Sequence, residues 1–312
     1  MKLKQALFAI FCIAIGHTVS AESQEAYREN ITITYPYVEE ESDGAIEQIA
    51  PNSNDHISDP SLLASSVFVV DPESGQVLFE KNADSSRSIA SITKLMTAIV
   101  VLGASQSLTQ TLSVTAADAE LARPTHSRLR VGGRLSRGEL LRLMLMASEN
   151  RAAAALARSF PGGLPNFVKR MNETALALGL FATQFADPTG LDAGNRSTAR
   201  DLAALVQHAS RFEVIRAYST TPEYAVSPRG PRTTVFHNTN RLTRSADWNI
   251  ELSKTGFISA SGQCLVLRAT LSGRSLVMVI LDSWGKGGRV NDAVRLRNWL
   301  EQRNGPLVVA HM

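Results

Sequence analysis

The sequence predicts an α+β fold: an antiparallel sheet fed by strands from both ends of the chain, with a helical insert between them. Two observations predict it. Strand-like runs open and close the body of the chain, whereas residues 91–206 carry helical periodicity. Gly-containing turn clusters separate the strand-like runs, as antiparallel neighbours require. Composition agrees, since 44% of the 312 residues are hydrophobic and 20% charged, which excludes a disordered chain, a collagen and a coiled coil. Two cysteines exclude a disulfide scaffold and a cysteine-rich zinc site.

The elements follow in order. Residues 66–70 (Ser-Val-Phe-Val-Val) read as a strand, 71–75 (Asp-Pro-Glu-Ser-Gly) as a turn and 76–80 as the return strand of a hairpin. From Ser91 the pattern is helical, with Leu95, Met96, Ile99 and Leu102 on one side. Residues 140–146 form a second helical run, and the Ala-rich stretch 151–157 continues it after a break. Another helix covers 167–178 and ends at Gly179. Ser197 or Thr198 can cap a helix through Val206, with Asp201 near its positive end. After about residue 221 the signals change to strands, at 250–257, 264–271 and 275–281, and the chain closes with a helix near 291–300. Cys264 sits in an apolar run (Cys-Leu-Val-Leu) and reads as a buried structural thiol.

The N-terminus has the pattern of an export signal over residues 1–21. Lys2 and Lys4 are followed by an apolar run over 6–15, too short to span a bilayer, and Val19-Ser20-Ala21 offers small residues for cleavage after Ala21. Phe11, before Cys12, is too bulky for lipoprotein processing. Residues 22–61 hold ten acidic side chains against one basic one, Arg28, and lack an apolar period, so they read as a flexible acidic leader. The folded domain is expected over 62–302 and a short tail over 303–312, with no further domain and no membrane-binding helix after it. The formal net charge of +3 therefore conceals a body near +10, suited to an acidic polymer such as nucleic acid or a bacterial wall rich in free carboxylates.

Three short motifs carry chemistry. In Ser91-Ile92-Thr93-Lys94 the spacing puts an amine one turn from a hydroxyl, where a neutral lysine could take the serine proton during attack on a carbonyl. Alone this is compatible with an ordinary helix start, and Ser283-Trp284-Gly285-Lys286 repeats the spacing, although with a glycine inside it and past a strand. Ser148-Glu149-Asn150 interrupts a helical pattern, so a hydroxyl and an amide can both face a cleft; a polar helix break is the alternative. Lys254-Thr255-Gly256 lies on an expected strand, where the glycine would let a substrate backbone approach and the other two offer a charge and a hydroxyl to a carboxylate; an exposed strand lysine is the alternative. The motifs stand 57 and 106 positions apart, serine to serine and serine to lysine.

Together the three resemble the known motif set of serine penicillin-binding proteins and class A β-lactamases. The surroundings of Ser91 (Arg87 to Ala98) are similar to the serine region of the D-alanyl-D-alanine carboxypeptidase family. Residues 148–153, 187–191, 197–202 and 248–257 resemble one branch of it, the D-alanyl-D-alanine endopeptidases of the penicillin-binding protein seven type, and the likeness covers roughly 62–300. The resemblance implies a serine β-lactamase/transpeptidase-like fold: an antiparallel five-stranded sheet flanked by helices, an all-helical lobe, and a cleft between them. It implies hydrolysis of D-Ala–diaminopimelate cross-links of peptidoglycan through an acyl-enzyme in the periplasm, with removal of the terminal D-Ala of pentapeptides as the alternative. Ser91 would be the nucleophile and Lys94 its base, Ser148 would relay the proton to the leaving amine, and Asn150 would orient the substrate amide and hold the lysine. Lys254 and Thr255 would bind a substrate carboxylate, Gly256 and Phe257 would complete the substrate-binding set, and backbone N–H groups of Ser91 and Phe257 would form the oxyanion hole. Stem peptides would be the substrate and β-lactams inhibitors, with no cofactor, metal, nucleic acid or stable membrane anchor. Lys94 needs its pKa lowered by about three units to act at neutral pH, and a facing Lys254 cation, helped by partial burial, is the expected cause.

Two departures from the carboxypeptidases favour the endopeptidase branch. Ile258 stands where many of them have Thr, and no second β-rich domain follows. Residues 185–191 contain no Glu-x-x-Leu-Asn, the deacylating signature of class A β-lactamases, so slow release of penicillin is expected. The six histidines, at 17, 56, 126, 208, 237 and 312, are too scattered for a zinc peptidase. A non-catalytic β-lactam-sensing or wall-binding module is the rival from another class.

Overall fold

Alternating side chains give the central sheet two buried faces, and each face has its own core. The computed structural model describes residues 59–304; the expected signal segment, the leader up to residue 58 and the tail from 305 lie outside them. Strands β1 (Ala64–Val70) and β2 (Val77–Lys81) form the expected hairpin. Its turn is built on Asp71, whose carboxylate accepts from the Glu73 and Ser74 N–H groups and pairs with Arg274 at 2.8 Å; that guanidinium holds the Asp71 carboxyl down at about 2.

A two-residue strand β3 (Arg87–Ser88) leads into a 3₁₀ turn (Ala90–Thr93) and helix α1 (Lys94–Gly103). The helical lobe follows: β4 (Thr111–Ser113), α2 (Ala116–Leu121), β5 (Arg134–Ser136), α3 (Arg137–Met146), α4 (Asn150–Arg158) and α5 (Gly163–Ala177). Then come β6 (Arg196–Ser197), which pairs with β3, and helices α6 (Ala199–Ala209) and α7 (Glu213–Thr220). Thr198 is the cap of α6, accepting from the Asp201 N–H. A hairpin of β7 (Glu223–Val226) and β8 (Thr234–His237) and a second 3₁₀ turn (Arg241–Arg244) precede the long strands β9 (Asn249–Ile258), β10 (Gly262–Leu271) and β11 (Arg274–Ser283), and α8 (Gly288–Asn304) closes the chain.

The five-stranded antiparallel sheet has the order β2-β1-β11-β10-β9, so the first strand lies beside the last, with Val67 opposite Ile280. Phe68, Leu252, Val266 and Val279 face the helical lobe and pack with α1, α3, α4 and α6. Val67, Leu265, Met278 and Ile280 face the other way, onto Leu296 and Trp299 of α8. The expected fold class is the observed one.

Boundaries differ where local signals compete. The helix expected from Ser91 begins as a 3₁₀ turn and becomes α only at Lys94. The region after residue 221, read as strands, also holds the second 3₁₀ turn, and α8 runs beyond the boundary placed at 302. Helices α2 and α7 carry too few residues to establish a period, although a Thr115–Asp118 capping box starts the first of them.

Candidate active site

The 3₁₀ turn matters because i and i+3 side chains eclipse on it. Ser91 and Lys94 are thereby brought together, with the Lys94 Nζ 2.8 Å from the Ser91 Oγ. Lys94 has no exposed surface. Its amine also donates to the Asn150 Oδ1 at 2.6 Å and to the Thr189 carbonyl. A neutral amine has two N–H groups, which these two oxygens satisfy, and its lone pair is left toward the Ser91 hydroxyl. Burial pulls the Lys94 pKa from 10.5 down to about 7, against the opposing pull of Asp187 and Glu149.

Asn150 begins α4, and its Nδ2 donates to the Thr125 Oγ1 at 3.0 Å, which fixes the amide with its oxygen toward the lysine. Ser148 precedes it in a left-handed conformation (φ 56°) in the break between α3 and α4. Its hydroxyl is not among the partners of the Lys94 or Lys254 amines.

Lys254 lies on β9, is 1% exposed, and donates to the Thr255 carbonyl at 3.0 Å. Burial first, then the charges of Lys94 and Arg289, push its pKa well below the usual value. This corrects the expected electrostatics. Lys94 is lowered by burial, and the amine that yields to its neighbours' charge is Lys254. The reason is local: Lys94 has two carboxylates in its field, whereas Lys254 has a guanidinium.

Gly256 packs closely against the serine turn. A Cβ there would lie 3.0 Å from the Ile89 carbonyl and 3.2 Å from the Ser91 nitrogen. The space a side chain would need there is taken by the chain's own serine turn. Thr255 shares a hydrogen bond with Thr239, Oγ1 to Oγ1, at 2.6 Å, and the Phe257 side chain is 63% exposed.

Four supporting groups were given no role by the sequence: Asp187 and Gly190 of the 187–191 segment, Glu149 inside the second motif, and Arg289. The Asp187 carboxylate binds the Thr189 hydroxyl at 2.7 Å and the N–H groups of Gly190 and Asp192, shaping the turn that presents the Thr189 carbonyl to Lys94. Gly190 has φ +81°, and a Cβ on it would fall 2.0 Å from the Ala90 carbonyl oxygen. Glu149 is buried, accepts from the Ser127 hydroxyl, and has its pKa raised by burial. Arg289 of α8 donates to the Gly256 carbonyl at 2.8 Å. The 187–191 segment was legible only as part of the resemblance, and Arg289 had no signal beyond its type.

The second Ser-x-x-Lys spacing forms no comparable pair. Ser283 is buried, and its hydroxyl donates to Asp292 at 2.6 Å. Cys264 is a buried free thiol pushed up to about 11 by burial. Among the described residues no group of three or more His, Cys, Asp or Glu is placed to hold a metal ion, and no helix is long and apolar enough to cross a membrane.

Residues 53–285 match the peptidase S11 family, described as D-alanyl-D-alanine carboxypeptidase. The chain belongs to the D-alanyl-D-alanine carboxypeptidase family. A D-alanyl-D-alanine endopeptidase of Pseudomonas aeruginosa is 46% identical over 241 residues, covering 77% of this chain and 78% of its own. One of Escherichia coli is 42% identical over 245 residues, covering 78% and 79%. The crystal structure of the Streptomyces K15 DD-transpeptidase superposes with a TM-score of 0.72 at 30% identity, covering 78% of this chain and 98% of that one. As a member of that family the chain is a serine peptidase, and the 2.8 Å pairing of its serine and lysine is the geometry such a peptidase needs.

Proposed function

We propose that this chain is a periplasmic serine D-alanyl-D-alanine endopeptidase that hydrolyses D-Ala–diaminopimelate cross-links of peptidoglycan and is acylated by β-lactams. One observation carries the mechanism: a fully buried amine with its pKa near 7 lies 2.8 Å from the Ser91 hydroxyl. The names of the two relatives above 40% identity and Ile258 beside the Lys254 motif support the endopeptidase over the carboxypeptidase. Export rests on the 1–21 segment, followed by the acidic leader over 22–61 and the peptidase domain over 62–302.

In the proposed cycle, neutral Lys94 takes the Ser91 proton as the Ser91 Oγ bonds to the D-Ala carbonyl carbon. The oxyanion is held by the N–H groups of Ser91 and Phe257; one such donor is worth about 3–4 kcal/mol of barrier. The C–N bond then breaks, and the proton passes through Ser148 to the leaving amine. Asn150 keeps the lysine in place, through the 2.6 Å bond already described. Lys254 and Thr255 hold a substrate carboxylate. Lys94 then takes a proton from water as the water oxygen bonds to the ester carbon; the bond from that carbon to the Ser91 Oγ breaks, and Lys94 gives the proton to the Ser91 Oγ.

The test is to incubate the mature chain with cross-linked dimers and pentapeptide monomers from bacterial wall and identify products by mass spectrometry, with Ser91→Ala as control. Loss of dimers with gain of tetrapeptide monomers is expected. Release of free D-alanine with dimers intact would make the chain a carboxypeptidase. No product from either would leave a binding module.

A further inference from the structure

Two stretches of chain beside the catalytic residues carry no carboxylate of their own. No Asp or Glu occurs from Ala122 to Gly138 or from Tyr224 to Asn238, whereas arginines recur in both stretches. Arg128, Arg130, Arg134, Arg229 and Arg232 are all exposed. None of the five has a carboxylate partner among the described residues. The two stretches are one surface. The Arg134 N–H donates to the Pro228 carbonyl at 2.8 Å, the Arg128 guanidinium donates to the Val235 carbonyl, and the same guanidinium lies 4.2 Å from the centre of the Phe236 ring.

This surface is also a wall of the site. Thr125 of the first stretch holds Asn150 at 3.0 Å, and Ser127 holds Glu149 beside it. Five exposed cations with no carboxylate partner among the described residues repel one another and cost stability unless something anionic offsets them. An exposed patch of one sign adjoining a cleft raises the local concentration of oppositely charged polymer. The polymer that must reach this cleft carries free stem-peptide carboxylates at every repeat, beyond the one being processed.

We propose that the arginine rim is a docking surface for the carboxylates of polymeric peptidoglycan, outside the subsite that holds the scissile bond. The inference rests on the peptidase reading for its choice of partner. It assigns the rim to polymer binding and not to chemistry.

The test compares the wild-type chain with a variant carrying Arg130→Gln, Arg134→Gln, Arg229→Gln and Arg232→Gln and with the matching four-lysine variant. Arg128 is left alone because it packs on Phe236. Co-sedimentation with purified insoluble wall is measured at low and high salt, and acylation by a soluble fluorescent penicillin and thermal melting are measured beside it. The glutamine variant is expected to bind wall about tenfold more weakly and lose most of the salt dependence, with acylation within about twofold of wild type. The lysine variant should retain binding, and wall whose carboxylates have been amidated should release the wild type. Wall binding by the glutamine variant equal to wild type would overturn the proposal, as would a matching loss of acylation and melting temperature, which would make the arginines structural. Arginine-dependent binding to anionic lipid vesicles but not to wall would overturn it in favour of a membrane surface. Arginine-dependent wall binding by a chain that cleaves no cross-link would support the rim and refute the endopeptidase reading.

Discussion

Glu149→Gln tests the electrostatics of the site with little change of shape. The amide keeps an acceptor for the Ser127 hydroxyl and for the Arg151 N–H that Glu149 caps at the start of α4. It removes a charge that favours protonated Lys94. Lowering Lys94 from 10.5 to about 7 corresponds to about 5 kcal/mol of bias against its charged form. With the carboxylate gone that bias grows, so the apparent pKa falls further, by up to about one unit. At pH 6 the neutral fraction then rises from about one-tenth to about one-half, and acylation becomes about fivefold faster, while at pH 8 it changes less than about twofold. The assay is stopped-flow acylation by a fluorescent penicillin from pH 5 to 9, with Ser91→Ala as the blank. Wild-type acylation should rise with unit slope below pH 7 and level off above it. A wild-type limb near pH 10, or a shift to higher pH in the variant, would refute burial of a neutral lysine as the origin of its basicity.

Three further outcomes are expected. Gly190→Ala places a Cβ 2.0 Å from the Ala90 carbonyl at φ +81°, so it should lower stability by about 3 kcal/mol and disable acylation, read by urea unfolding and penicillin labelling. Lys254→Met removes a buried amine whose pKa lies well below that of the unfolded chain. In wild type the unfolded state binds the extra proton between those two values, so stability rises with pH there; the variant should lose that rise and melt higher, by about 2–4 °C per kcal/mol, while labelling collapses. Cys264, buried with its thiol raised to about 11, should resist alkylation in the native enzyme and react stoichiometrically once unfolded, which mass spectrometry reads directly.

The sheet was legible because each long strand alternates or runs apolar between turn residues, and the paired register bears this out for β1, β10 and β11. The lobe was legible through its period, except where helices are as short as α2. The serine and lysine were readable from spacing, but their contact depends on a 3₁₀ turn that the apolar period of α1 disguises. What sets the lysine's basicity was readable only in part, since burial was expected as a helper and the two carboxylates were not. It arises from burial beneath the 187–190 turn and from two carboxylates, Asp187 and Glu149, that reach the amine only after folding. Arg289 likewise comes to the strand carbonyl of Gly256 from the far end of the chain, 33 positions on, and no local pattern marks such a meeting.

The arrangement of β1 beside β11 has a consequence for how the molecule can be made. The Leu63 N–H closes on Asp292, 229 positions away, and the same carboxylate takes the Ser283 hydroxyl. During synthesis the opening hairpin must therefore wait, with one edge unsatisfied, until almost the whole chain exists. Such distant closure favours slow completion, and a chain that stays open until its last helix arrives is one that can still be threaded. A premature stop before α8 would not yield a shorter peptidase; it would leave the sheet face of Val67, Met278 and Ile280 without the Leu296 and Trp299 that cover it.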